Sequence, residues 1–366
     1  HGFSKAPLHC KSKTKQHISV LLVCTTTYRE MEPLSNVLEF DFDASLQIQE
    51  PPIVPMENSW VLRADLLKEV FVKSMELVVT STVLSESVLS SYENLLLVLQ
   101  HRYEDVQESM NEALVIQLMK LVRRPTLEER QLVLFLLHRV YSISVPLRIT
   151  IRQHIAQDFV NFVEGSKADR AHPGIKELLM LLQSIVSGFQ TPLKESHIQY
   201  FQESILPLFT SASLDQFGQE ALVCVANFIQ KERSLIIDFV RFLIEKFPVA
   251  KQSDIVLAIL VDITPCLSHD EFSKIQVIMY NFLAACAKHQ RLEVAEAGLS
   301  ILTHPTFLER LKLNILIAYP LLYTPLQQNA VCHWSLKVNQ MSGGLVDVLR
   351  KFSMIGSAWS QTRCLY

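Results

Sequence analysis

The chain has 366 residues, 49% of them hydrophobic and 19% charged, and its formal net charge is −3. That length allows two or three ordinary domains, whereas a near-neutral charge argues against bulk nucleic-acid binding, which needs a basic surface. Only 9 glycines occur, and none lies between Gly2 and Gly165. Barrels, sandwiches and nucleotide-binding sheets need glycine in turns and phosphate loops, so this composition favours an all-helical chain.

The first 58 residues differ in charge from everything that follows. From Lys5 to Arg29 every charged side chain is basic, and from Glu30 to Glu57 every one is acidic. The stretch "QEPPIVPMENS" (49–59) has three prolines and is typical of a linker. The basic cluster at 5–15 fits a solvated tail better than a nuclear-import signal. We therefore treat 1–58 as a separate N-terminal segment.

The remainder, 59–366, repeats one pattern. Apolar residues recur at i, i+3, i+4 and i+7, which predicts amphipathic helices at 64–79, 111–122, 129–141 and 174–186. From residue 125 onward, prolines fall near predicted helix starts, at 125, 146, 173, 192, 248, 265, 305 and 320. Helical hairpins of about 40 residues are typical of HEAT or armadillo repeats, so we predict an all-α, HEAT-like solenoid.

The longest apolar run, "LNILIAYPLLYTPL" (313–326), is too short to cross a bilayer and contains Pro320 and Pro325. We predict a buried helix with a break at this point and no membrane span. The run at 18–24 is shorter still.

The seven cysteines are scattered and never form a CxxC pair, which argues against a disulfide framework. A reducing compartment fits better, so we expect a cytoplasmic protein, with the nucleus as a second location. Cys286 and His289 have CxxH spacing, but no second ligand pair follows, and a small apolar cysteine on a helix is favoured over a metal ligand. We predict no metal and no cofactor.

Residues 136–159, "LLHRVYSISVPLRITIRQHIAQDF", gather cations around one tyrosine, Tyr141. One helix is predicted to end near Ser142 and the next to start at Pro146. The spacing then puts His138 beside Tyr141 on the first helix and Arg148 beside Arg152 on the second.

A cation in the first helical turn, as at Arg148, opposes the helix dipole by about 0.3–1 kcal/mol, a cost that a bound anion would offset. Arginine also suits bidentate capture of carboxylate or phosphate. The pattern therefore indicates a receptor for an acidic partner segment. Pairing of the two arginines with Asp158 or Glu177 is the alternative.

The following hairpin, 173–197, adds Leu181 and Ile185, one turn apart, and then Lys194 and His197. Taken singly, the two aliphatic residues are typical of a core and the lysine of a solvated surface. Taken with the cations of the preceding hairpin, they predict a groove with apolar pockets and positive charge beside them.

These hairpins carry motifs of high specificity. They are "LHRVY" (137–141), "LRITIR" (147–152), "PGIKELL" (173–179) and "QSIVSGFQTPLKESH" (183–197), with weaker matches in "LEVAEAGL" (292–299) and "CHW" (332–334). In these motifs the chain resembles the regulatory B-prime subunits of protein phosphatase 2A, from about Trp60 to about Phe352. Met180 stands where that family usually has an acidic residue.

The resemblance implies a curved HEAT-like solenoid that joins a scaffold subunit and a catalytic subunit, and recruits proteins carrying acidic or phosphorylated LxxIxE motifs. By position, Leu181, Ile185 and Tyr141 would contact the motif's isoleucine. His138, Arg148 and Arg152 would hold its glutamate. Arg139, Lys194 and His197 would favour phosphate or acidic residues.

Two other classes of protein compete with this interpretation. An enzyme of the phosphatase type needs GDxHG, GDxxDRG and GNHE-type segments, which the sequence lacks. The adjacent pairs His9–Cys10 and Cys332–His333 do not suit thiol–imidazole catalysis, because neighbouring side chains on a helix point apart. We therefore predict no catalytic residues. A generic HEAT-repeat adaptor or transport-receptor fragment stays as the alternative.

Overall fold

In the computed structural model, residues 64–247 and 252–363 are described. All regular secondary structure within these ranges is helical, which confirms the predicted all-α repeat fold. The N-terminal segment 1–58, with its linker and its basic cluster, lies outside the described residues, as does the His9–Cys10 pair.

The described chain forms two compact units. One contains the residues up to Leu208 together with Glu220–Asn227, and the other contains Phe209–Gln219 and the residues from Phe228 onward.

The helices of the first part of the chain are α1 (Ala64–Thr80), α2 (Glu86–His101), α3 (Tyr103–Val106), α4 (Glu112–Leu121), α5 (Leu127–Ile143), α6 (Leu147–Glu164), α7 (Lys167–Arg170), α8 (Ile175–Ser187) and α9 (Glu195–Tyr200). A π-helical turn (Phe201–Ile205) and a 3₁₀ turn (Leu206–Thr210) follow, and another 3₁₀ turn spans Gln107–Ser109.

The helices of the remainder are α10 (Leu214–Lys231), α11 (Leu235–Lys246), α12 (Ser253–Ile263), α13 (His269–Ser273), α14 (Gln276–Ala287), α15 (Leu292–Thr303), α16 (Pro305–Leu313), α17 (Ile315–Cys332) and α18 (Leu336–Arg363). A 3₁₀ turn at Thr264–Cys266 follows α12.

Within each unit the helices form two rows. In the first unit, α2 contacts α5 and α5 contacts α8, while α4 contacts α6 and α6 contacts the π-helical turn. In the second unit, α11, α14 and α17 form one row and α12, α15 and α18 the other. Each amphipathic helix therefore buries its apolar stripe against the neighbouring hairpin, as expected of helical repeats.

Polar contacts between hairpins recur at the repeat length. The hydrogen bond from Arg139 to the Leu99 carbonyl spans 40 residues, and that from Gln252 to Ala212 also spans 40. The bond from Lys337 to Glu296 spans 41 residues. This spacing agrees with the hairpin unit of about 40 residues that the sequence predicts.

The α17 region differs from the sequence prediction of a buried, broken helix at 313–326. The helix runs unbroken through Pro320 and Pro325, and Leu316 is 78% exposed. Proline at 320 removes the bond to the carbonyl of residue 316, and both Leu316 and Pro320 are exposed, so this side of the helix faces solvent, which can hydrate a freed carbonyl. A carbonyl that water hydrates costs little free energy, so the helix can continue through Pro320.

Candidate functional site

Tyr141, near the end of α5, is held by both predicted arginines of α6. The Arg152 guanidinium donates from Nη1 to the Tyr141 hydroxyl at 2.9 Å. The Arg148 guanidinium lies 5.5 Å from the centre of the Tyr141 ring, a cation–π distance. The hairpin therefore brings these three predicted site residues together, as their spacing indicates.

Arg148 also has a local structural role that the sequence did not reveal. Its Nε donates to the Tyr141 carbonyl and its Nη2 to the Ser142 carbonyl, both at 2.9 Å. These carbonyls belong to the last turn of α5, where the helix dipole is negative and favours a cation. The unfavourable position of Arg148 in the first turn of α6 is thus offset within the protein, so this cost is no longer an argument for a bound anion.

The alternative of internal ion pairs for the two arginines is wrong as well. Asp158 pairs with Arg123 at 2.6 Å, and Glu177 pairs with Arg130 at 3.0 Å. Among the described residues, no carboxylate lies within 4.0 Å of either Arg148 or Arg152, so no described side chain neutralises their positive charges.

The segment between α8 and α9, together with the first turn of α9, adds an aromatic wall and two further basic side chains. The His197 ring stacks on the Phe189 ring with centroids 3.9 Å apart and planes 7° apart. The Arg152 guanidinium lies 5.9 Å from the same Phe189 ring. Lys194, just before α9, is exposed, and among described residues it has no acidic partner within 4.0 Å.

The charge state of His197 follows from these neighbours. Partial burial, and then the positive charges of Arg152 and Lys194, lower the pKa of His197 below its usual value. The imidazole is therefore neutral at pH 7, and the positive charge at this site comes from Arg148, Arg152 and Lys194. We call the surface formed by Tyr141, Arg148, Arg152, Phe189, Lys194 and His197 the cationic groove.

Two polar groups lie at the edge of the cationic groove. His138 Nε2 is 2.9 Å from the Ser184 hydroxyl, which ties α5 to α8 one residue before Ile185. The Tyr200 hydroxyl is buried without a hydrogen-bond partner among the described residues. Burial, and then the nearby Cys224, raise the pKa of Tyr200 well above its usual value, and the positive charge of Arg152 opposes this shift.

Three predicted site residues lie elsewhere or lack exposed surface. Arg139 reaches towards the preceding hairpin, where its Nε and Nη2 lie 3.4 and 3.3 Å from the carbonyls of Leu99 and Gln100 at the end of α2. Leu181 is fully buried and Ile185 is 3% exposed, because α8 packs against both α5 and α6. Contact between these two side chains and a bound motif stays a prediction.

The sequence reasoning missed Phe189 and Tyr200 as members of this region. Phe189 lies inside the quoted motif "QSIVSGFQTPLKESH", but nothing in its spacing indicated that its ring would lie between Arg152 and His197. Tyr200 belongs to the next helix, α9, and its proximity depends on how that helix packs.

Comparison with known families gives a match over most of the chain. Residues 88–357 match the model of the family described as protein phosphatase 2A regulatory B subunit (B56 family). This chain belongs to the B56 family. The prediction of a B-prime-type subunit is therefore confirmed. The prediction of a non-catalytic chain is confirmed as well, because the family consists of regulatory subunits.

Individual relatives of the B56 chain come from distant organisms. It is 29% identical to the B-prime kappa isoform of the phosphatase 2A regulatory subunit in Arabidopsis thaliana, over 63% of this chain and 46% of the relative. It is 29% identical to the delta 1 isoform of Schizosaccharomyces pombe, over 66% and 44% of the two chains. It is 26% identical to the human delta isoform, over 91% and 50%. The chain spans about half the length of the curated relatives it matches.

Two further findings concern the described residues of the B56 chain. None of their helices is both long and apolar enough to span a bilayer. No group of three or more His, Cys, Asp or Glu side chains is placed there to hold a metal ion. His333, next to Cys332, accepts a hydrogen bond at Nδ1 from the Ser335 amide at 3.1 Å and stacks on Trp334.

Proposed function

We propose that this B56 chain recruits substrates to protein phosphatase 2A by binding acidic or phosphorylated LxxIxE-type motifs in the cationic groove. The observation that supports this most directly is the pair Arg148 and Arg152. Both are held against Tyr141, and neither has a carboxylate within 4.0 Å among the described residues. Cations that are held in place without a counter-ion among the described residues suit a bound anion.

The remaining donors indicate how an acidic segment would be held. Arg152 donates from Nη1 alone to described residues, so its other N–H groups can form a fork with a carboxylate or phosphate. Lys194, just before α9, supplies an exposed positive charge. The neutral His197 ring and Phe189 form the adjacent apolar wall, which suits the aliphatic residues of the motif.

Short motifs of this kind typically bind with micromolar affinity, about −8 kcal/mol in total. A hydrogen bond to a charged group contributes about 1.5–3 kcal/mol. Removal of one cation from the cationic groove should therefore weaken binding by roughly one to two orders of magnitude.

The proposal extends to the partners. The relatives are named as regulatory subunits of protein phosphatase 2A, and this chain spans about half their length. We propose that it assembles with the scaffold and catalytic subunits of that phosphatase, in the cytoplasm and with the nucleus as a second location. Co-purification followed by mass spectrometry tests this, and recovery of neither partner would contradict it.

The motif assignment is tested with a fluorescent peptide of the LxxIxE pattern and the full chain. Arg148→Glu should abolish binding, and added salt should weaken it. Since Arg148 also bonds two carbonyls of α5, a second variant is needed whose wild-type side chain has no such bonds. Lys194→Glu meets that requirement, and Arg241→Glu, an exposed position on α11, is the control of equal charge change.

The outcomes separate the proposal from the alternative adaptor. Binding that both groove variants lose and Arg241→Glu keeps would support the site. Equal loss in all three variants would indicate general electrostatic attraction. No binding of the peptide to the wild type, even at high peptide concentration, would favour a generic HEAT-repeat adaptor.

A further inference from the structure

The acidic part of the N-terminal segment contains a pattern that fits the cationic groove. Residues 34–43 read "LSNVLEFDFD", in which Leu34, Val37 and Glu39 have the spacing L-x-x-V-x-E. Asp41 and Asp43 follow directly, and every charged side chain from Glu30 to Glu57 is acidic. The segment therefore offers two aliphatic anchors, a carboxylate two residues after the second anchor, and further negative charge downstream.

The described part of the chain offers complementary chemistry. Arg148, Arg152 and Lys194 have no described acidic partner within 4.0 Å, and Phe189 with His197 forms an apolar wall beside them. Segment 34–43 of this chain contains Leu34, Val37 and Glu39, which are the residue types that the cationic groove is proposed to bind.

The connection between the two is long enough. The 20 residues between Asp43 and Ala64 can extend at most about 66 Å at roughly 3.3 Å per residue. From α1 the route to the groove passes α2, α5 and α6, which contact one another in that order. Packed helices lie about 8–10 Å apart, so the distance is roughly 25–30 Å.

We propose that residues 34–43 bind the cationic groove of the same chain and compete with external acidic motifs. This inference rests on the proposed function of the groove. The chain would then regulate its own client binding, since a client must displace the internal segment before it can bind.

The size of the effect follows from the tether. A short linker gives an effective concentration of about 1 mM. If the isolated segment binds with a dissociation constant of about 10–100 µM, the groove is occupied internally about 10–100 times more often than it is free. The apparent affinity for an external peptide falls by the same factor, about 10–100-fold.

The matched control lies in the same segment. Ile48 and Glu50 have the same I-x-E end, but Ser45 stands where the motif needs leucine. If the L-x-x-V-x-E spacing is what the groove recognises, substitution of Val37 and Glu39 should release the internal segment, whereas substitution of Ile48 and Glu50 should not.

The experiment uses the full chain and three forms of it: wild type, Val37→Ser with Glu39→Gln, and Ile48→Ser with Glu50→Gln. Each is titrated against a fluorescent LxxIxE peptide, and separately against a synthetic peptide of residues 32–45. We expect the Val37/Glu39 variant to bind both probes about 10–100-fold more tightly than wild type, and the Ile48/Glu50 variant to match wild type. Lys194→Glu, added to the Val37/Glu39 variant, should weaken the binding of both probes again by roughly one to two orders of magnitude.

Other outcomes overturn the inference in distinguishable ways. Equal affinities in all three forms would refute internal competition while the proposed function of the groove stands. Release by both double variants would show that general acidity, and not the L-x-x-V-x-E spacing, is responsible. If the wild type dimerises and the difference between forms disappears on dilution, the segment acts between two copies and not within one. Absence of probe binding in every form would instead count against the proposed function itself.

Discussion

The hydrogen bond between Arg152 and Tyr141 should be measurable as a coupling energy in motif binding. Arg152 Nη1 donates to the Tyr141 hydroxyl at 2.9 Å, and the same guanidinium lies 5.9 Å from the Phe189 ring. We infer that Tyr141 acts mainly by orienting Arg152. If so, removal of the Tyr141 hydroxyl weakens motif binding only while Arg152 is present.

The magnitudes follow from this geometry. Arg152→Met keeps a similar volume but removes the cation, and should weaken binding of an acidic peptide by about 2 kcal/mol, or roughly 30-fold. Tyr141→Phe removes one hydrogen bond at a half-buried position and should cost about 1 kcal/mol, or roughly fivefold. The double variant should lose about 2 kcal/mol, because the tyrosine then has no arginine to orient. The coupling energy is therefore about 1 kcal/mol.

The assay is a double-mutant cycle by fluorescence anisotropy with the full chain at fixed ionic strength, because salt screens the charge interactions. To make release of the internal segment equal in all forms, the cycle is carried out in the Val37/Glu39 variant. Arg241→Met serves as the control for loss of an exposed arginine. Single-variant losses that add to within about 0.3 kcal/mol would refute the orienting role of Tyr141.

The other predictions concern stability and reactivity. Arg310 is 5% exposed and donates to the carbonyls of Thr264, Pro265 and Leu267, so Arg310→Met should destabilise its unit by about 3–5 kcal/mol in urea unfolding, and a loss below about 1 kcal/mol would contradict this. Because the pKa of His197 is lowered, the unfolded chain takes up a proton below about pH 6.5 that the folded chain does not. The free energy of unfolding of the wild type should therefore fall as the pH decreases below that value, and it should fall less in His197→Asn. Identical pH profiles of stability for the two proteins would refute this. Cys332 is exposed, so a maleimide should label it rapidly in the folded chain, as peptide mapping would show, and slow labelling would contradict its exposure.

Helix positions were predictable from the sequence because apolar periodicity determines them. The prediction at 64–79 corresponds to α1, Ala64–Thr80, and that at 111–122 to α4, Glu112–Leu121. The exception is α17, where two prolines suggested a break. Whether proline breaks a helix depends on whether the freed carbonyl reaches water, and that depends on packing which periodicity does not report.

The site was predictable only in part. Residues three or four apart on one helix share a face, so the pairing of Arg148 with Arg152 followed from spacing. Their approach to Tyr141 depends in addition on the short turn that joins α5 to α6. Which direction a side chain takes between neighbouring hairpins does not follow from spacing. Arg139 belongs to the motif "LHRVY" but bonds carbonyls of α2. Leu181, which the resemblance places in the isoleucine pocket, is buried between helices.

The arginines of this chain also show why Arg148 and Arg152 stand apart. Several arginines bond groups about one repeat away: Arg139 to Leu99 over 40 residues, Arg233 to Glu271 over 38 and Arg310 to Thr264 over 46. Each such bond joins successive hairpins, so the side chain is held by the repeat architecture. Arg148 and Arg152 instead bond Tyr141 over only 7 and 11 residues, within one hairpin.

An arginine that joins two hairpins has its donors directed into the protein and is needed for the fold. An arginine held within its own hairpin, without a carboxylate, keeps a fixed direction and an unneutralised charge. Loss of the first kind should therefore lower stability, and loss of the second should lower affinity for acidic segments more than stability. Arg148 is of the second kind but also stabilises the end of α5, because it bonds two carbonyls of the last turn of that helix, whereas Arg152 does not. Arg152 is for that reason the position at which recognition and folding can be separated.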